Sequence, residues 1–302
     1  MFWIQPQCDD EGDEDMVYTT LIGIDELLPH LENPDWAIID CRFSLDDAGR
    51  GRRDYLRSHI PGAVYAHLDE GLCAPVIPGV TGRHPLPTIA HLADRFSEWG
   101  IEDNVQVVAY DDWAPVSGGV AARLWWSLRW LGHEAVAVLD GGWAASQRLG
   151  LPHRGGVESR PWRKFQPRER PEILVSSEDV MRLRQDPNYK VFDSRTEDRF
   201  RGENETIDPV AGHIAGAKSA PYTDNVAPDG FFLPAEVLRE RFERLLGGVP
   251  VERAVFYCGS GVTAAHNLLA MAHSGLGEGR LYAGSWSEWI TDPQRPVVVG
   301  SE

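Results

Sequence analysis

A chain of 302 residues with 42% hydrophobic content has the length of about two ordinary globular domains. Its formal charge of −17 argues against a nucleic-acid surface, and no run approaches the ~20 apolar residues that cross a bilayer. Four cysteines, at positions 8, 41, 73 and 258, follow neither a disulfide framework nor metal-ligand spacing, so a reducing cytoplasm is the expected setting.

Residues 1–15 carry Asp9, Asp10, Glu11, Asp13, Glu14 and Asp15 and no Lys or Arg. Such a stretch, without apolar periodicity, predicts a disordered acidic leader. The run from Met16 to Ile22 reads as a natural domain start, with Met16 a candidate initiator, and no signal-peptide pattern precedes it. Trp36-Ala37-Ile38-Ile39 then reads as a strand that ends in Asp40-Cys41-Arg42, followed by the turn Ser58-His59-Ile60-Pro61-Gly62-Ala63. Val107-Val108-Ala109-Tyr110 is a second strand, ending at Asp111, and an apolar helix is expected from Val120 to Leu131. Val138-Leu139-Asp140-Gly141-Gly142-Trp143 closes the unit.

The segment from Leu151 to Pro171 is rich in Pro, Gly and Arg and lacks periodicity, which predicts a linker. A helical pattern restarts from Leu174 to Arg184, with Ser176 or Ser177 as N-cap. The landmarks of the first half then recur in the same order. Asp193-Ser194-Arg195 answers Asp40-Cys41-Arg42, and Gly212-His213-Ile214-Ala215-Gly216-Ala217 answers the His59 turn. Ala254-Val255-Phe256-Tyr257 leads to Cys258 as Val107-Val108-Ala109-Tyr110 leads to Asp111, and Leu281-Tyr282-Ala283-Gly284-Ser285-Trp286 closes the second copy. The Asp-to-His interval is 19 residues in one copy and 20 in the other. A duplicated chain is the reading, with units at 16–150 and 172–302 joined by residues 151–171. Short apolar strands alternating with helices predict an α/β fold in which each unit is a mostly parallel sheet flanked by helices.

Active sites of such sheets lie beyond the carboxyl ends of strands. Cys258 is at such an end, opening the run Cys258-Gly259-Ser260-Gly261-Val262-Thr263 before a helix expected from Thr263 to Ser274. Backbone N–H groups and the positive end of a helix dipole there favour a thiolate. Gly259 and Gly261 let the backbone curl around the sulfur, while Ser260 and Thr263 add hydroxyl donors. The loop holds no Lys, Arg or Asp. The matching position in the first copy is Asp111, and a carboxylate cannot serve as a thiolate nucleophile. The second unit is therefore expected to be catalytic and the first to wall one side of the cleft.

The loop resembles the active-site loop of the rhodanese superfamily, most closely the Cys-Gly-Ser-Gly-Val-Thr form of its mercaptopyruvate branch, and the resemblance spans both copies. It implies a sulfurtransferase in which Cys258 becomes a persulfide, cradled by the N–H groups of Gly259, Ser260, Gly261, Val262 and Thr263. It implies a small anionic sulfur donor and cyanide, a small thiol or thioredoxin as acceptor, with no organic cofactor and no metal. Arg199, in Asp198-Arg199-Phe200-Arg201-Gly202, matches the family's substrate-binding arginine. The branch often carries a second arginine a few residues later. Here Glu203-Asn204-Glu205-Thr206-Ile207-Asp208-Pro209 has none, and Arg201 is the candidate substitute. Arg195 is a further candidate, although its repetition as Arg42 in the copy without a thiol favours a structural tie to Asp193. His59 matches a family histidine placed across the domain cleft, against a plain buried histidine of the His-Ile-x-Gly turn. Three other readings compete with this one. Thiosulfate, a dianion, would favour cations inside the loop. A cysteine phosphatase needs an arginine six residues after the cysteine, where Ala264 stands. A binding module without turnover sits poorly with the intact loop.

Overall fold

The computed structural model describes residues 16–112 and 119–301; the expected leader at 1–15 lies outside the described residues. The first half forms a parallel sheet from β1 (Leu21–Ile22), β2 (Trp36–Asp40), β3 (Val64–Tyr65), β4 (Gln106–Tyr110) and β5 (Val136–Leu139), in the order β1-β5-β4-β2-β3. The second half adds β6 (Leu174–Val175), β7 (Lys190–Asp193), β8 (His213–Ile214), β9 (Lys218–Ser219), β10 (Ala254–Tyr257), β11 (Arg280–Tyr282) and β12 (Val297–Val298). Its main sheet runs β6-β11-β10-β7-β9, all pairs parallel, so the two halves share one topology. β8 and β12 pair antiparallel, and in the first half His59 makes the matching bridge to Arg154.

The central strands β4 and β10 are buried along their whole length, as near-continuous apolar runs in a doubly covered parallel sheet should be. The helices that follow them, Val120–Trp130 and Thr263–His273, are apolar nearly all round. A helix of that kind must be covered on every side. These two pack against each other as well as against their sheets, so they form the seam between the halves. The one expected element that changes type is the start of the second unit. Leu174–Val175 pairs with β11 as a strand, and the helix begins at Ser177. Ser176 caps it, accepting from the Asp179 N–H at 3.1 Å in a capping box. Residues 151–170 run largely without regular structure along the first half, held by Arg160 to the Trp36 carbonyl at 2.8 Å and by the buried Phe165.

The duplicated Asp–Arg motif builds the same cluster twice. Arg42 holds Asp40 through its Nε and Nη2 and lies 4.0 Å over the Trp143 ring. Arg195 does the same with Asp193 and lies 4.7 Å over Trp286. Backbone bonds repeat too, with Trp143 N–H on the Asp111 carbonyl at 2.8 Å and Trp286 N–H on the Cys258 carbonyl at 2.9 Å. The thiol loop thus has its frame set by residues that exist in both halves.

Candidate active site

Cys258 follows β10 directly and is buried at the floor of a cavity of about 160 Å³. That is below the ~300–1,000 Å³ of pockets for drug-sized ligands, so the cavity takes a small compound. The Gly261 N–H points at Sγ from 3.1 Å, and the backbone can make that turn because Gly261 has φ of +76°. A Cβ at Gly261 would stand 2.3 Å from the Ala283 carbonyl oxygen, so this position admits only glycine. The Cys258 N–H donates to Ser285 Oγ at 3.0 Å, and that hydroxyl donates to the Tyr282 carbonyl at 2.9 Å. Ser285 has φ of +56°, the one non-glycine residue in the left-handed region among the described residues. Backbone strain of this kind is commonly held at functional sites. Cys41 and Cys73 differ from Cys258 in setting. Burial pushes the Cys73 thiol up to about 12 and the Cys41 thiol well above its ordinary range, so neither is a nucleophile at neutral pH.

The cavity walls come from both halves. Phe43, Leu45, Leu68, Arg83, His84 and Val120 belong to the first, and Arg199, Ile207 and the 258–263 loop to the second. His84 Nδ1 lies 2.8 Å from Ser260 Oγ, and its Nε2 lies 3.5 Å from Asp69 Oδ1. Burial, with Arg83 and Arg123 nearby, depresses His84 to about 3, so its ring is neutral. With Nε2–H facing Asp69, Nδ1 accepts the Ser260 hydroxyl proton. This Asp–His–Ser chain has the order of a hydrolase triad and ends on the loop serine two residues after the thiol.

Arg199 donates to both oxygens of Glu205 and to Asp208 Oδ2 at 3.1 Å. Arg83 donates to the other Asp208 oxygen, Oδ1, at 2.6 Å. Its own backbone N–H is fixed by Ser287 Oγ at 2.9 Å. Arg123, fully buried in the Val120–Trp130 helix, reaches across the seam to donate to the Gly261 carbonyl at 2.9 Å.

Several expected site residues stand elsewhere. His59 does not reach the cleft: its ring stacks on Tyr55, and its nitrogens face the Tyr55 carbonyl at 2.7 Å and Glu158 at 3.4 Å. The histidine that meets the loop serine is His84, which the sequence reading missed. Arg195 is buried under Trp286, tied to Asp193, Glu205 and the Gly212 carbonyl, and does not line the cavity; it is linked to the cavity's Arg199 through Glu205, which the two share. Arg201 is spent on Glu197 and Glu203 outside the cavity. Val262 and Thr263 line the cavity, but the loop amide that reaches the sulfur is that of Gly261. His84 and Arg83 were hidden because they sit in an irregular stretch far away in sequence; the available signal was the rigid run Gly82-Arg83-His84-Pro85-Leu86-Pro87.

The rhodanese-like domain family matches this chain twice, at residues 24–148 and 176–292. A Pseudomonas aeruginosa protein named "Probable 3-mercaptopyruvate sulfurtransferase" is 50% identical over 93% of this chain and 98% of its own length. An Arabidopsis thaliana "Thiosulfate/3-mercaptopyruvate sulfurtransferase 1, mitochondrial" is 30% identical over 92% of this chain and 77% of its own. The crystal structure of an Escherichia coli 3-mercaptopyruvate sulfotransferase superposes with a TM-score of 0.75 at 33% identity, covering 90% of this chain and all of that one. The chain belongs to the rhodanese family, as a member with two tandem domains. It is a sulfurtransferase, most similar to the 3-mercaptopyruvate sulfurtransferases. No helix among the described residues is long and apolar enough to cross a membrane, and no group of three or more His, Cys, Asp or Glu there could hold a metal.

Proposed function

We propose that the protein moves sulfur from 3-mercaptopyruvate to a thiophilic acceptor through a persulfide on Cys258. The observation that carries this is the Gly261 N–H on Sγ inside a cavity that also presents the Arg199 guanidinium and the Ser260–His84 pair. The Cys258 thiolate attacks the donor's thiol sulfur. The carbon–sulfur bond breaks, and its electron pair stays on the donor's C3 as an enolate. Ser260, its hydroxyl hydrogen-bonded to the neutral His84 ring, relays the donor's thiol proton to that carbon. Pyruvate leaves, and Cys258 keeps the transferred sulfur as a persulfide anion. Cyanide then takes the outer sulfur as thiocyanate and restores the thiolate; a small thiol or thioredoxin is the cellular alternative. Splitting one transfer into two easier steps gives ping-pong kinetics.

The Gly261 N–H offsets the charge on sulfur in both steps. Arg199 takes the donor's carboxylate with its planar fork. Thiosulfate is the second reading, favoured by the presence of Arg83 beside Arg199. Asp208 sits between these two cations and Glu205 also pairs with Arg199, so little net positive charge remains, which suits a monoanionic carboxylate better than a dianion. Residues 16–150 serve as the unit without a thiol and 172–302 as the catalytic one. The free thiols among the described cysteines suit a reducing cytoplasm.

The test is steady-state transfer to cyanide from 3-mercaptopyruvate and from thiosulfate, side by side. The expected result is a higher kcat/KM for mercaptopyruvate, with Cys258→Ser inactive on both donors at an unchanged melting temperature. A preference for thiosulfate overturns the donor; an active Cys258→Ser overturns the mechanism.

A further inference from the structure

We infer that Arg83, carried by the thiol-less half, is the second arm of the clamp that holds the anionic end of the sulfur donor. The inference deepens the reading of Cys258 and Arg199 as nucleophile and donor-binding residue. It starts from the guanidinium nitrogens that have no partner. Arg199 uses Nε and Nη2 on Glu205 and Asp208, and among the described residues its Nη1 makes no hydrogen bond. Arg83 uses Nη1 on Asp208, while among the described residues its Nη2 makes none and its buried Nε has no partner.

The two unengaged terminal nitrogens converge. Arg83 Nη2 is 3.0 Å, and Arg199 Nη1 3.7 Å, from the point where a Cβ on Gly259 would stand. Gly259 is next to the nucleophile, so both donors overhang the place where a donor molecule must lie. Its lack of a side chain keeps that space open. A carboxylate held by one N–H from each arginine is a two-point contact of the kind a single fork provides elsewhere.

Two like charges so close repel, and the fold offsets this with buried Glu205 on Arg199 and with one buried carboxylate that both arginines share. Asp208 takes Arg83 on Oδ1 and Arg199 on Oδ2. Both side chains stay open to the cavity, with 25% and 17% of their surface exposed. Arg83 is also rigidly delivered. A Cβ on Gly82 would lie 2.6 Å from the Gly284 carbonyl oxygen, the Arg83 N–H is tied to Ser287, and His84 is tied to Ser260. The arginine lies between fixed points, so little side-chain freedom is lost when a donor binds. The Glu203–Pro209 stretch, which carries no second arginine, supplies instead the carboxylate that positions one from the other half.

The test separates this inference from the donor assignment by alkylating Cys258 with two reagents of similar shape. Iodoacetate carries a carboxylate and iodoacetamide does not; rates at Cys258 are followed by peptide mass spectrometry. Taking the ratio of the two rates cancels any change in thiolate fraction. Hydrogen bonds to charged groups are worth enough for a change of about tenfold to a hundredfold. Arg83→Ala should lower the iodoacetate-to-iodoacetamide ratio by about tenfold or more, with Arg83→Lys between it and the wild type. Arg83→Gln, which keeps most of the stem, guards against a folding defect and should behave as Arg83→Ala. An unchanged ratio in Arg83→Ala and Arg83→Gln overturns the clamp. In parallel, kcat/KM for whichever anionic donor the wild type uses should fall in Arg83→Ala chiefly through KM. A wild type that uses only thiosulfate overturns the mercaptopyruvate reading while the alkylation ratio still decides Arg83.

Discussion

At the residue scale, the least expected contact is between His84 and Ser260, 176 positions apart in the chain. A histidine of ordinary pKa beside a loop serine would titrate near neutrality. Burial and two neighbouring guanidiniums instead hold His84 near 3, so it stays neutral, with Nδ1 accepting the Ser260 hydroxyl, at any pH above about 4. The acid limb of kcat/KM should therefore show no step near 6.5 that disappears in His84→Asn. Finding one would show that His84 titrates in the working range. Groups that act as a unit are not additive. Ser260→Ala and His84→Asn should each slow the pyruvate-forming half-reaction about a hundredfold or more, and the double variant by no more than the worse single. Rapid-quench measurement of pyruvate release checks this; a multiplicative double variant would break the pair. The sequence made Cys258, its glycines and Arg199 readable because their chemistry is written in a local run. His59 stood between a cleft role and a buried structural one because its His-Ile-x-Gly turn is also a motif, and the structure places it in the second. Its recurrence as His213 already marks it as part of the shared frame, just as Arg42 marks Arg195. Arg83 and His84 belong to no repeated motif.

At the element scale, the two strand-to-helix loops are one device used twice with different occupants. Where Cys258 takes the Gly261 N–H, Asp111 takes the N–H groups of Gly119 and Ala121, each at 3.1 Å, on Oδ2. The carboxylate sits where the thiolate would, but its other oxygen, Oδ1, has no partner among the described residues. Burial raises its pKa to about 7, against the pull of those N–H groups. The sign follows from proton binding. With the folded pKa above the unfolded 3.8, the folded state holds more protons between about pH 4 and 7, so stability falls as pH rises through that window. Asp111→Asn keeps an acceptor for the two N–H groups and removes the ionisation. It should raise the urea midpoint at pH 8 by the equivalent of about 1–4 kcal/mol and leave it nearly unchanged at pH 4. An equal effect at both pH values would assign the change to packing. Strand and helix boundaries here were legible because fully buried elements write long apolar runs: the expected helices from Val120 and Thr263 end within a residue of those observed. Leu174–Val175 was not, because two residues carry no periodicity and only pairing with β11 makes them a strand.

At the scale of the whole molecule, each half sends an arm onto the other. Residues 82–84 dock on Ser287 and Ser260, and residues 231–232 dock on the first half, with Phe232 N–H on Asp140 at 2.9 Å and Phe231 against Gly141. The first arm carries Arg83 and His84 to a thiol, while the second carries two phenylalanines to the half that lacks one. Duplication thus gave two equivalent positions, and polar chemistry is concentrated at one of them. The seam between them holds one fully buried cation. Arg123 donates to the Gly261 carbonyl and, at 3.4 Å, to that of His84, and it forms no ion pair with a carboxylate among the described residues. Burial lowers its pKa, which Cys73 and Cys258 partly restore. Replacing a buried ion pair by apolar side chains of similar volume is often neutral or gains about 1–4 kcal/mol, and removing Arg123 leaves no paired carboxylate behind among the described residues. Orphaning a buried carbonyl costs about 1–3 kcal/mol. Arg123→Met should therefore leave the urea-derived stability within about 2 kcal/mol of wild type. It should nonetheless lower kcat/KM at least tenfold, since the Gly261 turn loses its anchor and the sulfur loses a nearby cation. Arg123→Ala adds a cavity and should lose a further ~2–4 kcal/mol. A Met variant with full activity would mean that β10 and Ser285 hold the thiol loop without help from the other half. Loss of stability in step with activity would mean that Arg123 serves the seam and not the sulfur.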